Sequence, residues 1–396
     1  MALVAIIDKP RCINGSGCDL LCGHLCPVNR NGGDCIVVDE KTNKPIIDEE
    51  LCIGCGICPK RCPTLCIDIV NLPEKLLESP THRYGVNAFE LFRMLIPKQG
   101  IVVGVLGRNG IGKSTALNLL SGAYKPNFGD FEKEATPEIA AKNYSGTILA
   151  EYFRKLYAGQ LKISYKPQRI ELLQQLYKES VRELLSKVDE RKVTEHFVKE
   201  LEVEHLLDRK LQQLSGGELQ KVAIIAAMAK KADMYFFDEP ASFCDITARI
   251  KIAKLIRELI TPETSVIVVE HDLATLDYIS DEIQILYGEE GAFGIVSQTK
   301  AVRRGINEYL DGYLPDDNVR FRDYKIVFSS LQQDRILSKE IILEFPSMKK
   351  RLGNAMVCAG PSVRMRCALS LPCWRSSPSR YARWAVSGMS LDHSPV

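Results

Sequence analysis

The sequence predicts an α/β protein in two parts, a small α+β domain rich in cysteine followed by a larger α/β domain built on a phosphate-binding loop. Three observations carry this expectation. Ten of the fourteen cysteines fall between Cys12 and Cys66. Residues Gly107 to Thr115 read GRNGIGKST, which meets every fixed position of the pattern G-x-x-x-x-G-K-[ST]. Around that loop, strand-like apolar runs alternate with helical patterns from Ile101 onward.

Length and charge bound the rest. With 396 residues the chain has room for two or three domains, each able to bury a core. Lys plus Arg number 52 against 50 Asp plus Glu, so bulk charge alone gives no reason to expect a nucleic-acid partner, and no direct sequence-specific nucleic-acid binding is expected. The longest apolar run, Val222 to Ala229, is far short of a bilayer span, and MALVAIID reaches Asp8 without a basic leader. The expected location is therefore the cytoplasm, with no membrane partner. In that compartment clustered cysteines point to metal-bound thiolates instead of disulfides.

Residues 1–80 form the first predicted domain. Cys52, Cys55, Cys58 and Cys62, followed by Pro63, spell C-x2-C-x2-C-x3-C-P, the run in which three cysteines hold one [4Fe-4S] cluster and the fourth reaches a second. Cys12, Cys18, Cys22 and Cys26, followed by Pro27, supply the second set with looser spacing. If the crossover holds, Cys26 joins Cys52, Cys55 and Cys58, while Cys62 joins Cys12, Cys18 and Cys22. A ferredoxin-like domain with two clusters follows. Zinc held by four cysteines is the competing reading. Cys35 and Cys66 are left over; Cys66, in the strand-like stretch Leu65 to Val70, reads as a small buried apolar residue. These eighty residues carry 8 Lys plus Arg against 11 Asp plus Glu, which counts against simple phosphate-backbone binding.

Asn71 to Pro80 reads as a linker into a nucleotide-binding domain at 81–301. Tyr84 and Phe89 precede the phosphate loop, and Tyr84 is the preferred candidate to stack on adenine. Gly107, Gly110 and Gly112 let successive N–H groups, including those around Asn109, face one anion. Lys113 then reaches the outer phosphates, and Ser114, beside Thr115, offers a hydroxyl to Mg2+. After a polar stretch, Ile148, Leu149, Tyr152, Phe153, Leu156 and Tyr157 form a helical stripe expected to pack locally. The short strand Ile163 to Tyr165 leads to Gln168, placed to sense Mg2+ and the γ-phosphate.

Downstream, Leu214 to Leu219 reads LSGGEL, the signature that separates ATP-binding-cassette (ABC) proteins from other phosphate-loop enzymes. Ser215, Gly216, Gly217 and Glu218 open a helix whose positive end can bind an anion. The strand pattern Met234 to Phe237 ends in Asp238, expected to hold Mg2+ through water, and Glu239, expected to polarise the attacking water. After a helix over Thr247 to Leu259, the strand Ser265 to Val269 ends at Glu270 and His271, a γ-phosphate sensor in that slot. Asp245 belongs to the loop expected to touch a partner cassette. In the cassette fold a phosphate loop and its own signature face different directions. ATP is thus enclosed only when two cassettes meet head to tail, in a homodimer or with a second cassette in trans.

The sequence resembles one family closely, the ribosome-recycling ATPases also called RNase L inhibitor proteins, subfamily E of the ABC superfamily. The resemblance rests on LCIGCGIC (51 to 58), NLPEKL with THRYGVNAFELFR (71 to 93), GRNGIGKSTALNLLSG (107 to 122), LSGGELQ (214 to 220), FFDEP (236 to 240), VVEHDLATLDY (268 to 278) and GINEYLDGYLPDDNVRFR (305 to 322). It implies ATP hydrolysis to ADP and phosphate with ATP, Mg2+ and two structural [4Fe-4S] clusters. It also implies splitting of ribosomes into subunits, with the small subunit and termination and initiation factors as partners. A helix-loop-helix insertion at about 130–160 would meet the small subunit, and 302–352 would be a hinge toward a second cassette.

Two departures stand out. The Cys12 to Cys18 spacing is one residue longer than the family's, so Cys35 competes with Cys12 for a place in the upstream set. Residues 353–396 hold both tryptophans, five Arg, no Lys and no nucleotide motif, and they are expected to be a truncated or out-of-frame, disordered end. Two rival functions follow: a ribosome-binding protein that does not recycle, and an ATPase of iron–sulfur assembly.

Overall fold

The computed structural model describes residues 3–14, 16–71, 79–131 and 136–327, with the backbone of four short strands at 341–344, 349–352, 355–359 and 364–366. Residues 1–326 form one compact unit and residues 327–396 another. The second unit is described only by pairing: Ile341–Glu344 runs antiparallel to Arg364–Arg366, and Lys349–Leu352 to Ala355–Ala359. The expectation of a disordered end thus meets two short strands, and the rest of it lies outside the described residues.

In the first unit the chain begins with β1 (Leu3–Ile7), α1 (Leu21–Leu25), α2 (Pro27–Arg30), β2 (Ile36–Val38), β3 (Pro45–Ile47), α3 (Ile57–Arg61) and β4 (Ile67–Asn71). β1 pairs antiparallel with β4, and β2 with β3. Pro27 sits at the start of α2, where a missing N–H costs nothing. Cys66 falls just before β4, because Leu65 turns into the left-handed region (φ 50°) and delays the strand. The core of this part is made of Ala5, Ile7, Ile36, Ile47 and Ile67 together with the thiols of Cys12, Cys22, Cys26, Cys35, Cys58 and Cys66. The linker expected at Asn71 to Pro80 lies mostly outside the described residues.

The larger part opens with the hairpin β5 (His82–Arg83) and β6 (Glu90–Phe92), then β7 (Val102–Gly107) and α4 (Lys113–Leu120). Next come α5 (Pro137–Asn143), α6 (Ile148–Tyr157), β8 (Ile163–Lys166), α7 (Glu171–Leu176), α8 (Val181–Val188), α9 (Thr194–Glu200), α10 (Gly216–Ala229) and β9 (Met234–Asp238). The domain closes with α11 (Ile246–Arg257), β10 (Ser265–Val269), α12 (Leu273–Ile279), β11 (Glu282–Glu289), β12 (Phe293–Val296), β13 (Lys300–Ala301), α13 (Val302–Asp311), β14 (Tyr313–Leu314) and β15 (Val319–Arg320).

One mixed sheet organises these elements in the order β5-β6-β12-β11-β7-β10-β9-β8, with β13 on β11. β7, β10, β9 and β8 run parallel, as connections through helices require. Strands buried on both faces read as continuous apolar runs, and their alternate residues divide between two cores. Tyr235, Phe237, Val266 and Val268 face α8, α9, α10 and α11; Val103, Val105, Phe236, Ile267 and Val269 face α4 and α6. The stripe of α6 is part of that second core: Leu149, Tyr152 and Phe153 are buried in it, and Tyr152 donates to the Leu120 carbonyl at 2.6 Å. α13, within the stretch expected as a hinge, packs beside β11 and β13 through Val302 and Ile306.

Candidate functional site

The phosphate loop lies between the end of β7 and the start of α4, at the carboxyl edge of the parallel strands, where such sheets place ligands. Gly112 has φ 95°, and a Cβ there would stand 2.6 Å from Phe89 Cζ, so only glycine lets the loop lie against that ring. A cleft of about 510 Å³ opens above the loop. Asn109, Gly110, Gly112, Lys113, Ser114 and Thr115 line it, facing Tyr84, Phe89, Gln168, Asp238 and Glu239. Tyr84, half exposed, donates or accepts one hydrogen bond with Thr115 Oγ1 at 3.1 Å. Phe89 also borders the cleft, but its ring is committed to covering Gly112.

Lys113 Nζ donates to the carbonyls of Gly107 and Arg108 at 2.9 and 2.8 Å. Burial pushes its pKa down to about 8 against the pull of Asp238 and Glu239, so an anion in the cleft would favour its charged form. Ser114 Oγ donates to Asp238 Oδ2 at 2.9 Å. Burial raises the Asp238 carboxyl above its ordinary value, with the Ser114 bond opposing. A hydroxyl in the first turn of α4 and a carboxylate at the end of β9, so joined, suit Mg2+ bound with a triphosphate.

Glu239 lies at the tip of β9 with φ 49°, in the left-handed region that a residue with a Cβ pays to enter. Its carboxylate accepts from Gln168 Nε2 at 2.8 Å and from Ser242 Oγ at 3.0 Å, and His271 Nε2 stands 3.3 Å away. Burial lowers the His271 pKa below its ordinary value, with Lys113 adding to that effect. Two residues missed by sequence reading hold the turn. Lys166 Nζ donates to the carbonyls of Asp238 and Glu239 at 2.8 and 3.1 Å, and Gln220 Nε2 to those of Glu239 and Pro240 at 2.7 and 2.8 Å. The available signal is register: in β8 the buried positions are Ser164 and Lys166, so a lysine occupies an inward slot.

The signature does not line this cleft. Ser215 caps α10 in a reciprocal box: its Oγ accepts from the Glu218 N–H at 3.4 Å, and Glu218 Oε2 accepts from the Ser215 N–H at 2.8 Å. Gly216 and Gly217 follow; a Cβ on Gly217 would lie 2.9 Å from the Phe243 carbonyl, so the signature and the loop after Glu239 touch. Asp245 caps α11 by accepting from the Ala248 N–H at 2.8 Å.

In the cysteine-rich part, Cys12, Cys18, Cys22 and Cys62 line one small cavity together with Cys66. Cys52 and Cys55 are neighbours of Cys58, and Cys35 lies against Cys26 and Cys52. Burial pushes the Cys22 thiol up to about 11 and that of Cys58 to about 12. Among the described residues no group of three or more His, Cys, Asp or Glu side chains is set to hold a single metal ion. The thiols of Cys12, Cys18, Cys22, Cys62 and Cys66, around a cavity lined otherwise by apolar and uncharged groups, fit the donor chemistry of an iron–sulfur cluster.

The two parts meet at the β5–β6 hairpin. Asn87, fully buried, exchanges two hydrogen bonds with the backbone of Ile47: the Ile47 N–H donates at 2.7 Å and Asn87 Nδ2 donates to the Ile47 carbonyl at 2.9 Å. Ile7 N–H donates to the Asn87 carbonyl at 3.0 Å. Arg83 bridges Glu49 and Glu90, each at 2.9 Å.

Residues 95–242 match the family model described as ABC transporter. The chain is 49% identical over 352 residues to an uncharacterized ABC transporter ATP-binding protein of Methanocaldococcus jannaschii, covering 89% of this chain and 58% of the relative. It is 41% identical over 356 residues to the translation initiation factor RLI1 of Chaetomium thermophilum, again covering 89% and 58%. Among solved structures, a model of ribosome-bound archaeal Pelota and ABCE1 aligns with TM-score 0.82 and 49% identity, covering 90% of this chain and 60% of the matched one. The chain thus spans about three fifths of the length of these relatives. The larger domain has the ABC-type nucleotide-binding fold, and no helix among the described residues is long and apolar enough to cross a membrane.

Proposed function

We propose that this chain is an ATP-hydrolysing ABC protein with two [4Fe-4S] clusters that works on ribosomes, dividing subunits after termination and linking that step to initiation. The observation that carries the reading is the cleft in which phosphate loop, Asp238 and Glu239 converge, joined through one hairpin to a thiol-lined domain. Similarity to RLI1 of Chaetomium thermophilum and to ribosome-bound archaeal ABCE1 supports the ribosome as partner.

In this mechanism Tyr84 stacks on the base, while the loop N–H groups and Lys113 hold the phosphates. Ser114, Gln168 and, through water, Asp238 would hold Mg2+, which would offset the charge of the phosphates. Glu239 accepts hydrogen bonds from Gln168 and Ser242, which orient its carboxylate to polarise a water beside the γ-phosphate. His271 senses the same phosphate. Ser215, Gly216, Gly217 and Glu218 serve the nucleotide of a facing cassette, in a homodimer or a second cassette in trans, with Asp245 at that contact. The clusters, held by Cys12, Cys18, Cys22 and Cys62 and by Cys26, Cys52, Cys55 and Cys58, would supply rigidity to the small domain. The setting is the cytoplasm.

The test is Glu239→Gln. Phosphate release should fall on the order of 10²-fold or more while ATP affinity is kept, and the variant should stay on ribosomal subunits with ATP. Normal turnover would remove Glu239 from the mechanism. Failure of the wild-type chain to sediment with subunits in ATP would remove the ribosome.

A further inference from the structure

Cys66 was left without a role by the spacing of the motifs, yet the fold does not treat it as filler. It is buried, it lines the same cavity as Cys12, Cys18, Cys22 and Cys62, and its Sγ lies 3.4 Å from Cys62 Sγ. The Cys66 N–H donates to Cys62 Sγ at 3.5 Å, and Thr64 Oγ1 lies at 3.5 Å from that same sulfur. The turn of Pro63 to Leu65, with Leu65 at φ 50°, folds the two thiols onto each other. A structural apolar position would be served by Ala or Val at the same place. A second soft donor within contact of the first offers a metal centre a choice instead.

We propose that Cys62 and Cys66 are interchangeable ligands, so that either one closes the upstream iron–sulfur site. The inference rests on the reading that the thiols bind clusters. The exchange breaks one Fe–S(Cys62) bond and makes one Fe–S(Cys66) bond. The incoming thiol gives up a proton and the departing thiolate takes one, so no electron is transferred and the net charge is unchanged. Because the sulfurs already touch, the exchange needs only side-chain rotation and leaves the turn in place.

The experiment is iron and labile-sulfide content, with the visible absorbance, of the full chain purified without oxygen as wild type, Cys62→Ala, Cys66→Ala and the double variant. Both single variants should keep the wild-type iron content, and the double variant should lose half of it. Loss of half the iron in either single variant overturns the interchange, and so does full retention in the double variant. Should the double variant not fold, the single variants still decide the matter on those terms. A wild-type chain free of iron sinks the cluster reading itself, an outcome distinct from an iron-loaded wild type whose single variants fail.

Discussion

Glu239 is held by its neighbours in a backbone conformation that ordinary residues avoid, and the cost of that conformation is met by two buried donors. Lys166 is the more telling of the pair. Its side chain is inaccessible, burial pushes its pKa down to about 8, and its partners are main-chain carbonyls. Lys166→Met should therefore release the turn: phosphate release falls on the order of 10²-fold, while ATP affinity, measured by equilibrium binding, stays near wild type because Lys166 does not line the cleft. Equal loss of binding and turnover would show a general collapse instead. That Gly112, Lys113, Ser114, Asp238 and Glu239 line one cleft was legible because phosphate-loop chemistry asks for fixed residue types at fixed spacing. Lys166 and Gln220 were not, because they act through carbonyls, which every residue has, and from strands and helices distant in sequence.

Elements whose pattern is set by burial were read closely, whereas ends set by local hydrogen bonding shifted. β10 runs over Ser265–Val269 as expected from its apolar run, while α11 covers Ile246–Arg257, starting one residue earlier than its pattern suggests, because Asp245 caps it, and ending two residues earlier. α10 is the element where the proposed function and stability share residues. The hydroxyl of Ser215 sits in a reciprocal cap with Glu218, so Ser215→Ala should lower the unfolding free energy by about 1 kcal/mol, read from urea unfolding. ATP affinity of the isolated chain should not change, since the signature lies away from its own phosphate loop. An altered affinity would mean that the signature reaches the cleft within one chain.

Across the whole first unit, the hairpin residues 83–89 are the joint, and their role was illegible because its partners, Ile47 and Glu49, belong to the other part. Asn87→Ala would leave the Ile47 N–H buried without its acceptor, at a cost of about 1–3 kcal/mol. Hydrogen exchange at Ile47 should accelerate, while unchanged protection there would argue against the joint. The joint should also depend on pH. Burial raises the Glu90 carboxyl from its ordinary 4.5 to about 7, outweighing Arg83 beside it. Between those values the folded chain keeps a proton that the unfolded chain has lost, so stability declines as pH rises through that window. Glu90→Gln should flatten that decline in thermal melts. Tyr84 and Asn87 are three residues apart on this hairpin, one reaching the nucleotide cleft and the other locked into the thiol-lined domain. Anything that pries the small domain loose must therefore drag the cleft-lining ring of Tyr84 with it, and if that ring stacks on the base as proposed, damage to the thiols, such as oxidation, would first be felt as a weakened grip on ATP.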